Sequence, residues 1–252
     1  PLGQTVLAPW ALLDKGAGAV IEMAAASGLQ LVPPAQRDPT RTTTYGTGEL
    51  VRTAMNYGAQ RIILGIGGSA TNDGGCGAAQ ALGIEFEGAP IPITGADLLS
   101  IRSVRHKVIE AELLVACDVN NPLTGPNGAA HIYGPQKGAT ANQVDLLDNG
   151  LTHLRNVLGI EDQPGAGAAG GFGYGAVALL GARLQRGVDL VLEAVDFDRR
   201  VAGCDLCLTG EGRIDGQSLS GKAIMGVTQV ARQHNVTTIA LVGSVGPDAD
   251  RA

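Results

Sequence analysis

Residues 59–83 read AQRIILGIGGSATNDGGCGAAQALG. The run Arg61–Ile66 is aliphatic and β-branched, the pattern of a strand buried on both faces. Gly67 and Gly68 then turn the chain. Asn72 or Asp73 stands where a helix cap belongs, and the apolar residues that follow predict a helix to Leu82, with Gly83 as its stop. A strand, a glycine turn and a helix start in succession is an α/β unit. It aims main-chain amides and the helix dipole at one point, where an anion can sit.

The same grammar recurs on either side. Downstream, Leu113–Cys117 reads as a strand with Asp118, Asn120 and Asn121 at its C-terminal end. A glycine-proline loop carrying Lys137 follows, then a polar-capped helix over Ala141–Leu158. The segment QPGAGAAGGFGYG (163–175) lacks the serine and charge of a flexible linker and reads as a close-packed helix start or a hinge. A helix over Ala176–Leu184 is expected after it. Asp205–Thr209 reads as a buried strand, Gly210–Asp215 as a polar turn, Lys222–Gln233 as a helix and 237–245 as a last strand. Upstream, Thr5–Ala8 and Ala19–Met23 read as a hairpin around Gly16–Gly18. A helix from Thr47 or Gly48 to Tyr57 precedes the opening stretch. Strands alternate with helices from residue 50 onward, which predicts an α/β fold with a mainly parallel sheet. The polar-glycine clusters all fall at strand C-terminal ends, where ligands bind in open α/β sheets.

Composition agrees and narrows the function. The chain has 252 residues, a net charge of −6, 3% aromatic residues and 38 glycines, about twice the usual glycine share. No basic stripe exists to neutralise a nucleic-acid backbone. No apolar run is long enough to span a bilayer. Cys204 and Cys207 form C-x-x-C, but on a strand residues three apart point to opposite faces, and no second pair completes a zinc site. Cytoplasmic placement is the expectation.

Two clusters carry most of the chemistry. In GIGGSATNDGG (65–75), Gly67, Gly68, Ser69, Thr71, Asn72 and Asp73 offer a phosphate cradle, although the glycine spacing is not that of a dinucleotide fingerprint, which weakens a nicotinamide-dehydrogenase reading. TGEGRIDGQSLSGKA (209–223) holds Glu211, Arg213, Asp215 and Lys222. Gly216, Gly221 and Lys222 overlay a P-loop, except that Ala223 stands where a Mg²⁺-binding hydroxyl belongs. Carboxylates beside cations suit phosphoryl transfer: the carboxylates hold a metal or take a proton, and the cations balance moving charge. Asp118 reads equally as a metal ligand, a base or an Asx turn, and Lys137 equally as a phosphate contact or a solvated loop lysine.

TTTYGTGEL, GIGGSATNDGG, ACDVNNPLTGPNGAA, YGPQKGA, PGAGAAGGFG and LTGEGRIDGQSLSGK occur in this order. Together they resemble the bacterial glycerate kinases of the type 1 family, which includes the glycerate 2-kinases. The resemblance implies phosphorylation of D-glycerate by ATP with Mg²⁺, 2-phosphoglycerate being the favoured product. It also implies that Glu211, Arg213, Asp215, Gly221 and Lys222 form one family motif, so that the P-loop overlay is fortuitous. The implied site has catalytic Glu211, Arg213, Asp215, Lys222 and Asp118. Its cofactor contacts are Gly67, Gly68, Ser69, Thr71, Asn72, Asp73 and Lys137, and its metal ligands Asp118, Glu211 and Asp215. The implied architecture is a flavodoxin-like domain, here 36–80 with 196–252, and an inserted α/β domain, here 1–35 with 81–195. The family's opening motifs would lie before Pro1, so the chain reads as an internal portion. A fragment that binds nucleotide or glycerate without turnover is therefore the alternative. The oligomeric state is open.

Overall fold

Trp10–Leu13 (β1) and Gly18–Glu22 (β2) form an antiparallel hairpin, with Leu13 opposite Gly18. The first hairpin strand was expected at Thr5–Ala8, which carries no strand. Trp10 anchors β1 instead, meeting Tyr57 edge to face with ring centroids 5.6 Å apart. A computed structural model of the chain describes residues 1–13, 16–214 and 223–246. These fall into two units, Pro1–Leu184 and Gln185–Ala252.

In the first unit β2 leads into Ala24–Ser27 (α1) and then Tyr45–Asn56 (α2), whose Thr47, Val51 and Ala54 form a buried stripe at helical spacing. Arg61–Gly65 (β3) follows, then Cys76–Ala81 (α3). The small strands Glu85–Glu87 (β4) and Ser103–Arg105 (β5) pair antiparallel in a sheet of their own. Next come Glu112–Ala116 (β6), Ala129–Tyr133 (α4), Ala141–Leu158 (α5), Ala168–Leu180 (α6) and Arg183–Gln185 (β7). The main sheet has the order β1-β2-β3-β6-β7, with β2, β3 and β6 parallel. Ile21, Ile62, Leu64, Leu113 and Val115 from these strands meet Val51, Cys76, Leu151, Leu154 and Phe172 in one core.

Several helix ends follow from local chemistry. The Thr140 hydroxyl and the Gln143 side chain form a reciprocal capping box that starts α5, and Gly159 at φ 64° ends it. Gly181, at φ 68°, ends α6. The helix expected to reach Leu184 stops there, and the next residues pass into β7 instead.

The second unit holds Gly187–Ala194 (α7), Phe197–Val201 (α8), Leu206–Ile214 (β8), Ala223–Gln233 (α9) and Thr237–Val245 (β9). β8 and β9 pair in parallel, and Val201, Ala231 and Val236 form a small core. The sequence places a polar turn at Gly210–Asp215. The strand instead runs on to Ile214, because the pairing of β8 with β9 continues as far as Arg213↔Ser244 and Ile214↔Val245.

The two units divide the chain differently from the expected domains. β3, which belongs to the expected 36–80 segment, is hydrogen-bonded between β2 and β6. It therefore shares one sheet with residues on either side of that segment.

Candidate functional site

β2, β3 and β6 run parallel, so their C-terminal ends open on the same edge of the sheet. The chain leaving β3 forms the loop 66–75. Gly68 turns it at φ 69°. The amide of Leu29 donates to the carbonyl of Gly68 (2.8 Å), and that of Ala70 to the carbonyl of Ser27 (2.9 Å). The Thr42 hydroxyl donates to the Ala70 carbonyl at 2.9 Å. These bonds make the loop a rigid feature.

Asp73 locks the far end of the loop. Its carboxylate accepts from the Thr44 amide (2.7 Å) and hydroxyl (2.8 Å), and from the amides of Gly75 (3.1 Å) and Gly77 (3.2 Å) at the start of α3. Burial pushes the Asp73 carboxyl above its ordinary range, against the opposing pull of these four donors. Its carboxylate thus joins Thr44 to the start of α3. Thr71 and Asn72 are fully buried beside it, and the Thr71 hydroxyl and both Asn72 amide atoms have no hydrogen-bond partner among the described residues.

A cavity of about 410 Å³ opens on this edge. Ile66, Gly67, Gly68 and Ser69 line it from the β3 side, and Ala116, Cys117, Asp118 and Val119 from the β6 side. Leu29, Tyr133, Gln136, Lys137, Ala168 and Ala169 complete the wall. Of the residues expected at the site, the cavity brings together Gly67, Gly68, Ser69, Asp118 and Lys137; Thr71, Asn72 and Asp73 lie in the layer behind.

Lys137 departs most from its sequence reading. It is only 2% exposed, and its ammonium donates to the Thr71 carbonyl at 2.6 Å. Burial brings its pKa down to about 7, with the Asp73 charge acting the other way. It is a buried cation at the cavity wall, not a solvated loop lysine. Cys117 also lines the cavity, but burial pushes its thiol up, so at neutral pH it serves as wall and not as nucleophile.

The wall includes residues that their own motifs did not flag. Tyr133 donates through its hydroxyl to the Asn121 side chain (2.7 Å), whose amide donates to the Asn127 carbonyl (2.9 Å); this pins the loop that carries Asp118. Ala168 and Ala169 come from the glycine-dense segment, which the sequence left open as a close-packed helix start or a hinge. Close packing is what the structure shows. A Cβ on Gly167 would lie 2.2 Å from the Pro122 carbonyl oxygen, and one on Gly170 only 2.0 Å from the Thr71 carbonyl oxygen. The segment thus packs tightly against the loops that follow β3 and β6.

In the second unit Glu211 and Arg213 sit two residues apart on β8, on one face of the strand, opposite Val242 and Ser244. Asp215, Gly221 and Lys222 lie outside the described residues.

Mg²⁺ is bound by one or two carboxylates together with waters and phosphate oxygens, without an all-protein cage. Asp118 supplies one such carboxylate, and Ser69 adds a hydroxyl to the same cavity, a set of hard oxygen donors that fits this ion. No group of three or more metal-ligating side chains occurs among the described residues. No helix among them is long and apolar enough to cross a membrane.

Comparison with known proteins places this arrangement. A family model described as the glycerate kinase family matches residues 1–252. The chain is 48% identical over 264 residues to the glycerate kinase of Bacillus subtilis (strain 168), which covers 99% of this chain and 69% of that protein. It is 46% identical over 262 residues to the glycerate 2-kinase of Escherichia coli (strain K12), covering 98% and 69%. It is similar in structure, with a TM-score of 0.88 at 44% identity, to a Salmonella typhimurium LT2 protein described as glycerate kinase 2; the match covers 98% of this chain and 72% of that one.

Proposed function

The chain belongs to the glycerate kinase family, and we propose that it transfers the terminal phosphoryl group of ATP to the 2-hydroxyl of D-glycerate. One observation carries the reading for this structure. The Gly67–Ser69 loop, the buried Lys137 and the Asp118 carboxylate converge on a single cavity at the C-terminal edge of a parallel sheet.

Each part has a physical task. The Gly67–Gly68 loop lets an anion approach main chain where a side chain would stand in the way. Lys137 adds a positive charge that is fixed in place before any ligand arrives and is screened little by water. The Ser69 hydroxyl orients an oxygen of the bound group. Asp118, exposed at the cavity mouth, supplies the carboxylate that takes a hydroxyl proton or holds Mg²⁺. Bound Mg²⁺ would offset the charge on the transferring phosphoryl group. Glu211 and Arg213 on β8, with Asp215 and Lys222 beyond it, remain the second set of charged groups proposed for the reaction. Thr71 and Asn72 act from the layer behind, through the shape of the loop.

The test is direct. The chain is incubated with Mg-ATP and D-glycerate, ADP release is followed, and the product is identified by ³¹P NMR. Glycerate-dependent ADP with a 2-phosphoglycerate signal is expected. A 3-phosphoglycerate signal would move the attack to the other hydroxyl. A folded chain that releases no ADP would overturn the kinase reading for this chain.

A further inference from the structure

Three non-glycine residues among the described ones hold a positive φ: Ala169 (52°), Asp196 (52°) and Asn235 (59°). Asp and Asn tolerate this left-handed conformation, because a short polar side chain can bond locally. Alanine has no such compensation. Ala169 also stands in a run of three left-handed residues whose other two are glycines, Gly170 at 72° and Gly171 at 84°.

Packing explains the glycines but not the alanine. A Cβ on Gly170 would meet the Thr71 carbonyl oxygen at 2.0 Å, and one on Gly171 would meet a Leu151 methyl at 2.7 Å. At residue 169 a methyl fits. Ala169 is partly buried against the edge of the main core, and it lines the cavity together with Leu29, Ile66 and Asp118. The backbone at this point would be more relaxed as glycine. The methyl is present despite that, at the wall where the ligand is proposed to sit. Strain held at a ligand wall is where conformational preference yields to a functional constraint.

We propose that Ala169 is a specificity-determining residue: its methyl narrows the cavity wall where the carbon chain of the substrate is proposed to lie and so disfavours hydroxy acids longer than three carbons. The inference rests on the reading that D-glycerate occupies this cavity.

Two variants separate size from backbone conformation. Ala169→Gly removes the methyl and Ala169→Asn enlarges the side chain, and both residues accept a positive φ. The measurements are kcat/KM for D-glycerate and for its four-carbon homologue D-erythronate, KM for ATP, and the thermal midpoint. With A169G the erythronate-to-glycerate ratio is expected to rise roughly tenfold, the scale of one carbon in a binding pocket. With A169N, kcat/KM for glycerate is expected to fall by about the same factor or more. With A169G the thermal midpoint should not drop, and in both variants KM for ATP should stay within about twofold. Folded variants with an unchanged ratio would overturn the assignment, as would a change confined to KM for ATP. If the wild-type chain does not phosphorylate glycerate, the kinase reading fails and the assignment falls with it. If the wild type is active and the ratio is flat, the assignment alone fails.

Discussion

GIGGSATND (65–73) and TGEGRI (209–214) are written in the same alphabet: glycines alternating with small polar and charged residues after an apolar run. The first folds as a loop off the end of β3, held by buried hydrogen bonds from Thr42, Thr44 and Lys137. The second is the continuation of a strand, with half-exposed residues paired to β9. The letters do not decide between these outcomes. The surroundings do. Around residues 71–73 other main chain packs close: a Cβ on Gly170 would meet the Thr71 carbonyl oxygen at 2.0 Å and one on Gly77 the Thr43 hydroxyl at 2.2 Å, while Gly67 itself borders open space. Around 209–214 the neighbouring strand is what the backbone has to satisfy, and extended pairing does so.

The largest expected effect tests this contrast with one substitution on each side. Gly170→Ala puts a Cβ 2.0 Å from the Thr71 carbonyl oxygen at a φ of 72°. Overpacking and left-handed strain together should remove about 3 kcal/mol or more. Gly212→Ala, in β8, meets no atom within 4 Å. It should change stability by less than about 1 kcal/mol, in the favourable direction, since glycine weakens a strand. Urea titrations of both would settle the matter. Equal losses would mean that the two regions are buttressed alike.

Lys137 sharpens the functional side of the comparison. Replacing it with Met should lower kcat/KM by about 10²-fold, the usual scale for a preorganised charge at a reacting group. The pH dependence has a definite sign. Its pKa in the folded chain is about 7, below the 10.5 of an ordinary lysine. Between those values the unfolded chain binds the extra proton, so this group makes the fold more stable as pH rises through that window. Catalysis runs the other way: kcat/KM should fall as pH rises above about 7 and the ammonium is lost. Lys137→Arg, with a charge that persists beyond pH 12, should abolish this limb if it folds. A wild-type profile with no limb in that region would place the charge on another group.

Asp73 comes next. Asp73→Asn keeps the shape but loses the charge and presents an amide N–H₂ to donors. With four hydrogen bonds at stake, a loss of roughly 2 kcal/mol is expected, measured by thermal unfolding. The effect on KM should be small once the variant is folded, because the carboxylate faces Thr44 and α3 and not the cavity. A large rise in KM for ATP with unchanged stability would return Asp73 to the binding site.

These residues show what a sequence can and cannot convey. The strand at 61–65, the helix at 141–158 with its Thr140 cap, and the sheet edge that gathers the site were legible, because periodicity, caps and stops are local. Gly67 and Gly68 were legible as a turn for the same reason, and with Ser69 they line the cavity. The burial of Lys137 was not, since it depends on the Thr71 carbonyl 66 residues away in the chain. Nor was the bond between Asp73 and Thr44, 29 residues away in the chain. Ala169 was hidden among glycines, and only a dihedral angle singles it out. Over 210–214 the expected turn gave way to strand because pairing, a non-local term, overrode the local preference of glycine.

The smallest expected effect probes the open side of the comparison. Leu208 and Leu241 are 62% and 64% exposed, on one face of the β8–β9 pair, next to Ile239. Parallel strands are ordinarily covered on both faces, so bare leucines on such a pair are unusual. A leucine that is already in water loses little when it is replaced. The double variant Leu208→Thr with Leu241→Thr should therefore shift stability by no more than about 0.5 kcal/mol, while threonine keeps the β propensity of the strands. Light scattering should show less self-association, because an apolar patch has been removed. A loss above about 1.5 kcal/mol would mean that these side chains are buried in solution, on the scale of a buried leucine. The β8–β9 strands would then have a covering layer of their own, and their difference from the loop at 65–73 would lie in loop chemistry and not in burial.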